Sequence, residues 1–123
     1  MKHFDILIVD DEQRYAQMLA NRFKLRGLSC EVRYDGRTAL ESVENSFFKW
    51  VILDLRLPDC YGSEVLTRIK KISPTSEIII LTGHGTEADQ TRCLALGAYA
   101  FMNKPLDIEQ MIAIMSQNRA KSI

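Results

Sequence analysis

The sequence predicts a three-layer α/β domain in which five parallel strands alternate with five helices. Short apolar runs recur along the chain without polar alternation, which is typical of parallel strands that are covered on both faces. Amphipathic segments lie between these runs, and several of them end near a Gly or Pro. Short connections and right-handed crossovers then give a doubly wound (βα)5 domain.

The predicted strands comprise four apolar runs and one more polar segment. They cover residues 6–9, 29–34, 50–53, 78–81 and 98–102. The four apolar runs are expected to be fully buried. Residues 29–34 alternate polar and apolar side chains, so we expect this segment to form an edge strand.

The predicted helices lie between and after these strands. They cover residues 12–26, 37–44, 63–72 and 86–96, and a last helix begins after Asp107. The first is the clearest, because apolar side chains recur at steps of three and four residues before Gly27. The fourth has few large apolar side chains, mainly Leu94 and Leu96, and is expected to be the least firmly anchored. The polar tail from about residue 117 is expected to be a frayed end or a linker stub.

Length and composition predict one domain, residues 1–123, in the cytoplasm. The 123 residues fit a single core, and 46% hydrophobic with 26% charged residues is near the globular average. The charges of sixteen basic and sixteen acidic residues cancel, so no overall attraction to nucleic acid or a membrane is expected.

The cysteines indicate a reducing compartment. Cys30, Cys60 and Cys93 form no CxxC pair and are expected to be reduced thiols. The first apolar run is too short for a signal or membrane segment.

Polar side chains follow most of the predicted strands. They are Asp10, Asp11, Glu12, Asp54, Thr82 and Lys104. In a flavodoxin-like sheet of order 2-1-3-4-5 the first and third strands are neighbours, so Asp10, Asp11 and Asp54 meet at the carboxyl edge. Crowded carboxylates repel one another, and a hard divalent cation together with an ammonium group compensates them. The sequence therefore predicts a Mg²⁺ site with Lys104 beside it.

Four groups of motifs occur in a specific order and spacing. They are Ile8-Val9-Asp10-Asp11-Glu12; Leu53-Asp54-Leu55-Arg56-Leu57-Pro58-Asp59 with Gly62; Leu81-Thr82-Gly83-His84; and Gly97-Ala98 leading to Phe101 and Lys104-Pro105. In this combination the whole chain resembles a receiver domain of a two-component response regulator. The resemblance implies that Asp54 is the phosphoacceptor and that Lys104 pairs with the phosphoryl group. It also implies that Asp11, Asp54 and the backbone carbonyl of Arg56 bind Mg²⁺, that Asp10 acts largely through water, and that the peptide bond before Pro105 is cis.

The resemblance further implies a switch. Thr82 would move inward to hydrogen-bond the phosphoryl group, and Phe101 would turn inward after it, which changes the surface of the fourth helix, last strand and last helix. Arg56 and His84 are expected to overhang the site and set the lifetime of the acyl phosphate. The expected partners are a histidine kinase or phosphotransfer protein and an output domain, output protein or second copy, with no membrane and no direct nucleic-acid binding. Such a domain is a self-phosphorylating and self-dephosphorylating phosphoacceptor rather than a turnover enzyme.

Other interpretations fit the sequence less well. A flavodoxin-like cofactor binder needs a Ser/Thr/Gly-rich phosphate loop where this chain has three acids. A haloacid-dehalogenase type phosphatase needs a second carboxylate two residues after the nucleophile, where Arg56 stands. A receiver-like interaction module that works without phosphorylation is the main alternative. Such modules usually have lost an acid, the Thr or the Lys, and this chain keeps all of them.

Overall fold

The computed structural model describes the backbone of residues 1–121 and the side chains of residues 1–117. In this part of the chain, strands and helices alternate in the order β1 (Lys2–Val9), α1 (Gln13–Leu25), β2 (Cys30–Arg33), α2 (Gly36–Asn45), β3 (Ser46–Leu53), α3 (Gly62–Ile72), β4 (Glu77–Thr82), α4 (Glu87–Ala95), β5 (Ala100–Asn103) and α5 (Ile108–Lys121). The strands form one parallel sheet in the order β2-β1-β3-β4-β5. The predicted fold class, the strand order and the edge position of the second strand are confirmed.

The helices cover both faces of the sheet, because successive residues of a strand point to opposite sides. Ile6 and Ile8 of β1 pack in one core with α1 and α5. Leu7 and Val9 pack in a second core with α2, α3 and α4. All four side chains are fully buried, and burying each contributes about 1.5–3 kcal/mol to folding. A core on each side of the sheet explains why the apolar runs lack polar alternation.

β1 and β3 extend further at their N-terminal ends than the apolar runs predict. The additional residues of the two strands pair in parallel register, from Lys2 opposite Ser46 to Phe4 opposite Phe48. The rings of Phe4 and Phe48 stack with their centroids 5.3 Å apart, and such cross-strand pairs stabilise a sheet. The intervening polar residues hide this extension from a search for apolar runs.

α4 has fewer buried side chains than α1, α2 or α3. Cys93 is its one buried residue, whereas each of those three helices buries four. Leu94 and Leu96, the expected apolar residues of this helix, are 43% and 37% exposed. The expectation of a weakly anchored helix agrees with this burial, but the residue that anchors the helix is Cys93.

α5 begins at Ile108, directly after Asp107, as predicted. The Asp107 carboxylate accepts two backbone N–H groups of the first turn, and Met111 and Met115 are buried on the side of α1. The helix continues to Lys121, so the segment from about residue 117 that was expected to be a linker stub begins within the last turns of α5. Residues 122–123 of that segment lie outside the described residues. Within residues 1–121, no helix is long and apolar enough to cross a bilayer.

Candidate functional site

Polar side chains converge at the carboxyl edge of the sheet. Asp10, Asp54 and Lys104 directly follow β1, β3 and β5, and Thr82 is the last residue of β4. The strand registers keep these four ends level with one another. Residues that are far apart in the sequence therefore meet at the edge where ligands bind in doubly wound sheets.

The carboxylates of Asp10, Glu12 and Asp54 form a compact acidic cluster. One oxygen atom from each lies within 4.8 Å of the others. Asp10 and Asp54 are only 3% and 6% exposed, whereas the Glu12 side chain is 62% exposed. Burial raises the pKa of Asp10, and hydrogen bonds from Lys104 and the Glu12 backbone oppose that effect. The ionised form of Asp10 is thus disfavoured in this environment, and an additional cation would relieve it.

Lys104 lies among these three carboxylates. Its Nζ atom is 2.8 Å from Asp10 Oδ2, 2.9 Å from Glu12 Oε1 and 3.1 Å from Asp54 Oδ2. The three contacts match the three N–H donors of an ammonium group. Burial lowers the pKa of Lys104, but the hydrogen bonds to Asp10 and Glu12 raise it by more, so the net direction is upwards. Lys104 therefore carries its charge at neutral pH, and its peptide bond to Pro105 is cis.

The loop after β3 folds back closely beneath Asp54. The Asp54 amide donates to the carbonyl oxygen of Val9 at 3.0 Å, and the Gly62 amide donates to that of Leu55 at 2.7 Å. A Cβ atom on Gly62 would lie 2.2 Å from the Asp54 carbonyl oxygen. A glycine is required at this position because any side chain would push the loop away from Asp54.

Three of the predicted site residues, Asp11, Arg56 and His84, have exposed side chains. Asp11 is not part of the acidic cluster, in which Glu12 takes the third position. The Asp10 Oδ1 atom accepts the Glu12 amide at 2.9 Å, and this turn brings the Glu12 side chain back towards Lys104. Arg56 and His84 both line a cleft between the loop after β3 and α4. The Arg56 amide lies 3.4 Å from Asp54 Oδ1, which is long for a hydrogen bond.

Thr82 and Phe101 both contact Gly85. Thr82 is fully buried, and its Oγ1 atom accepts the His84 amide at 3.3 Å. A Cβ atom on Gly85 would lie 2.5 Å from Phe101 Cζ and 2.9 Å from Thr82 Cγ2. Phe101 is half-buried against the core beneath α2, α3 and α4. A movement of Thr82 can therefore reach Phe101 through the backbone of one glycine.

Two residues beside Lys104 have no role in the sequence-based hypothesis. In the sequence analysis, Glu12 is part of the first motif but has no role at the site. Tyr15 is there only a residue of the apolar side of the first helix. In the structure, the centroid of the Tyr15 ring is 4.7 Å from Lys104 Nζ. The signal that could have identified both is their spacing of three residues, which brings side chains together at the start of a helix.

Comparisons with known proteins agree with this geometry. The family model described as the response regulator receiver domain matches residues 6–116. The transcriptional regulatory protein YkoG of Bacillus subtilis (strain 168) is 32% identical over 113 residues, which is 92% of this chain and 50% of YkoG. The chain spans about half the length of the curated relatives it matches.

Solved structures resemble the chain over nearly its whole length. A CheY-like response regulator receiver domain from Methanospirillum hungatei JF-1 superimposes with a TM-score of 0.90 at 26% identity, covering 98% of this chain and 95% of that one. The beryllofluoride-activated NtrC4 receiver domain dimer gives a TM-score of 0.84 at 31% identity, covering 94% and 95%.

Proposed function

This chain belongs to the receiver domain family of two-component response regulators, and from that premise we propose that Asp54 is its phosphoacceptor. The observation that supports this proposal is the position of the Asp54 carboxylate, which is buried at the carboxyl edge with Oδ2 3.1 Å from the Lys104 ammonium. A buried carboxylate beside a fixed cation is suited to receive a dianionic group. The receiver is a signalling domain, and its activity is a change of state rather than turnover of a substrate.

The proposed reaction is phosphoryl transfer from a phosphohistidine of a histidine kinase or phosphotransfer protein. A carboxylate oxygen of Asp54 forms a bond to phosphorus, the P–N bond breaks, and the imidazole leaves and takes up a proton from water. Such a transfer depends on alignment and charge neutralisation more than on a general base. Lys104 supplies a permanent positive charge beside Asp54, because its pKa is raised by its carboxylate partners.

We propose Mg²⁺ as the metal of this site. The described carboxylates fit a hard divalent cation, because Asp10, Glu12 and Asp54 offer oxygen atoms within 4.8 Å of one another. Asp11 and the Arg56 carbonyl remain proposed ligands from the family pattern, together with Asp54, while Asp10 would act through water. When bound, Mg²⁺ would neutralise part of the negative charge on the phosphoryl group.

The proposed output is a change of the surface formed by α4, β5 and α5. Thr82 would turn its hydroxyl towards the phosphoryl group, Phe101 would follow, and α4 would shift at low cost because it buries one side chain. Arg56 and His84, which line the adjacent cleft, would set the rate at which water reaches the acyl phosphate. The target would be an output domain, an output protein or a second copy of this chain.

The setting of the domain is also a proposal. The curated relatives are about twice as long, which supports an output domain joined through a linker from about residue 117. The cysteines Cys30, Cys60 and Cys93 are free, which supports the reducing cytoplasm as the compartment.

Intact mass measurement tests the assignment of Asp54. The protein is incubated with acetyl phosphate in Mg²⁺ or in chelator, and we expect a gain of one phosphoryl group in Mg²⁺ alone. Asp54→Asn should show no gain. Asp59→Asn is the matched control, because Asp59 is an exposed carboxylate of the same loop whose oxygen accepts the Gly36 amide at 2.9 Å, and its variant should be phosphorylated normally. A folded wild type that binds Mg²⁺ but gains no mass would favour either strict dependence on a specific kinase or the interaction module.

A further inference from the structure

The ring of Tyr15 lies against the Lys104 ammonium. The distance of 4.7 Å from Nζ to the ring centroid is within the range of a cation–π contact. Lys104 donates hydrogen bonds to Glu12 and Asp54 and forms an ion pair with Asp10, and an aromatic face attracts the charge without needing a donor of its own. The contact with Tyr15 therefore adds to the carboxylate contacts and does not compete with them.

The hydroxyl group of Tyr15 holds the chain that follows Lys104. Its oxygen accepts the backbone N–H of Leu106 at 3.3 Å. Burial raises the pKa of the Tyr15 phenol, so the group is neutral at physiological pH. Tyr15 is half-buried on α1, where it packs against the core shared by α1 and α5. One side chain of α1 thus contacts Lys104 at its ammonium and the loop two residues beyond it.

We propose that Tyr15 is a positioning residue for Lys104, whose ring holds the ammonium while its hydroxyl holds the loop at Leu106. This proposal rests on the proposed role of Asp54. When Asp54 is phosphorylated, its carboxylate becomes part of an acyl phosphate, and Lys104 must direct an N–H group to a phosphoryl oxygen. The attraction of the Tyr15 ring is independent of that exchange, so it keeps the ammonium in place while the oxygen partners change.

Two variants separate the two contacts of Tyr15. Tyr15→Phe keeps the ring and loses the hydrogen bond to Leu106, and Tyr15→Leu loses both. Tyr34→Leu is the matched control, because Tyr34 is also half-buried against the core of α1 and α5 and its hydroxyl bonds to Gln17 at 2.8 Å. With acetyl phosphate and Mg²⁺, we expect the maximal phosphorylation rate of Tyr15→Leu to fall about three- to tenfold. Mg²⁺ affinity should be unchanged, the rate of Tyr15→Phe should lie between those of Tyr15→Leu and the wild type, and Tyr34→Leu should react at close to the wild-type rate.

An NMR readout tests the contact independently of phosphorylation. The Lys104 Hε protons should be shifted upfield by the Tyr15 ring in the wild type and in Tyr15→Phe, and should return to ordinary values in Tyr15→Leu. The Leu106 amide should exchange faster in both Tyr15 variants than in Tyr34→Leu.

The outcomes separate this proposal from the proposed function. A wild type that is not phosphorylated but shows the ring shift would count against the proposed role of Asp54 and support the contact. A phosphorylated wild type without the shift, or a Tyr15→Leu protein that reacts at the wild-type rate, would overturn the positioning role. If Tyr15→Leu does not fold, the wild-type shift and the Leu106 exchange in Tyr15→Phe decide the question.

Discussion

Replacing Asp10 with Asn should stabilise the metal-free protein, although Asp10 belongs to the proposed metal site. Asp10 is 3% exposed and shares a single ammonium with two other carboxylates. Asn keeps an oxygen for the Glu12 amide, which Asp10 Oδ1 accepts at 2.9 Å. The substitution therefore removes one charge and keeps the turn of the loop, while the Asn NH2 group takes the position of Oδ2 and must turn from the Lys104 ammonium to a carboxylate oxygen of Asp54 or Glu12.

The expected gain can be worked from the distances. At an effective dielectric constant of about 20, the attraction to Lys104 at 2.8 Å is about 6 kcal/mol, and the repulsion from Asp54 within 4.8 Å is at least about 3.5 kcal/mol. Glu12 adds a smaller repulsion because water screens its exposed side chain. The remaining attraction is outweighed by the desolvation of a buried carboxylate, which costs several kcal/mol. The pKa of Asp10 is raised chiefly by burial, which also indicates that its ionised form is disfavoured in the folded state.

Thermal and urea unfolding in chelator measure this effect. We expect Asp10→Asn to raise the free energy of unfolding by about 1–2 kcal/mol, which corresponds to an increase in Tm of about 4–8 °C for a chain of this length. Mg²⁺ should raise the Tm of the wild type more than that of the variant, because the metal binds the native site with its carboxylates intact. A lower Tm of the variant in chelator at neutral pH would show that attraction to Lys104 dominates and would refute the reasoning.

The pH dependence gives a second check. The folded-state pKa of Asp10 is raised above the ordinary value of 3.8, so the folded state takes up this proton first as the pH falls. The contribution of Asp10 to the unfolding free energy therefore increases as the pH falls from above the raised pKa towards 3.8, and is constant below it. The advantage of Asp10→Asn should shrink over the same interval. If the difference in free energy of unfolding between the two proteins stayed constant over this pH interval, the stabilisation could not be attributed to the charge of Asp10.

Three further substitutions test other contacts. Lys104→Ala leaves the buried carboxylates without a cation and should lower the free energy of unfolding in urea by about 3–5 kcal/mol. Phosphorylation of this variant should still occur in part but should no longer shift the Phe101 ring signals. A normal shift would contradict the proposed coupling of Lys104 to Thr82 and Phe101. Gly85→Ala should cost about 1–3 kcal/mol by crowding Phe101 and Thr82, and unchanged stability and ring signals would exclude that contact. Asp11→Ala should weaken Mg²⁺ binding by about tenfold or more in calorimetry, and wild-type affinity would favour Glu12 as the ligand instead.

The strand-end residues could be predicted from the sequence because local patterns determine them. Asp54 and Lys104 each lie directly after a strand, and parallel topology brings such positions together. Whether Asp11 or Glu12 joins the acidic cluster depends on how a short loop turns. The hydrogen bond from the Glu12 amide to Asp10 sets that turn, and the spacing of three residues between Glu12 and Tyr15 is the one sequence signal that points to it.

The buried face of α4 shows a second limit of the sequence. Thr86 and Asp89 form a capping box that fixes where the helix starts. Adjacent residues of a helix are rotated by about 100° from one another, so the start and docking of the helix decide which side chain meets the core. Leu94 is the larger apolar residue, but Cys93 occupies the buried position. Composition predicted the weak anchoring of this helix, and only the tertiary structure identifies its anchor.

The surroundings of Lys104 differ on the side of α1 and on the side of α4. This difference predicts on which side the structure would rearrange when Asp54 is phosphorylated. On the side of α1, Tyr15 contacts both Lys104 and the loop at Leu106, and α1 is held by four buried side chains. On the side of α4, Thr82 and Phe101 both lie against the backbone of Gly85, next to a helix with one buried side chain. A phosphoryl group on Asp54 would pull on Lys104 and Thr82 together. Because the α1 side resists displacement more strongly, the rearrangement is expected to proceed towards α4 and β5.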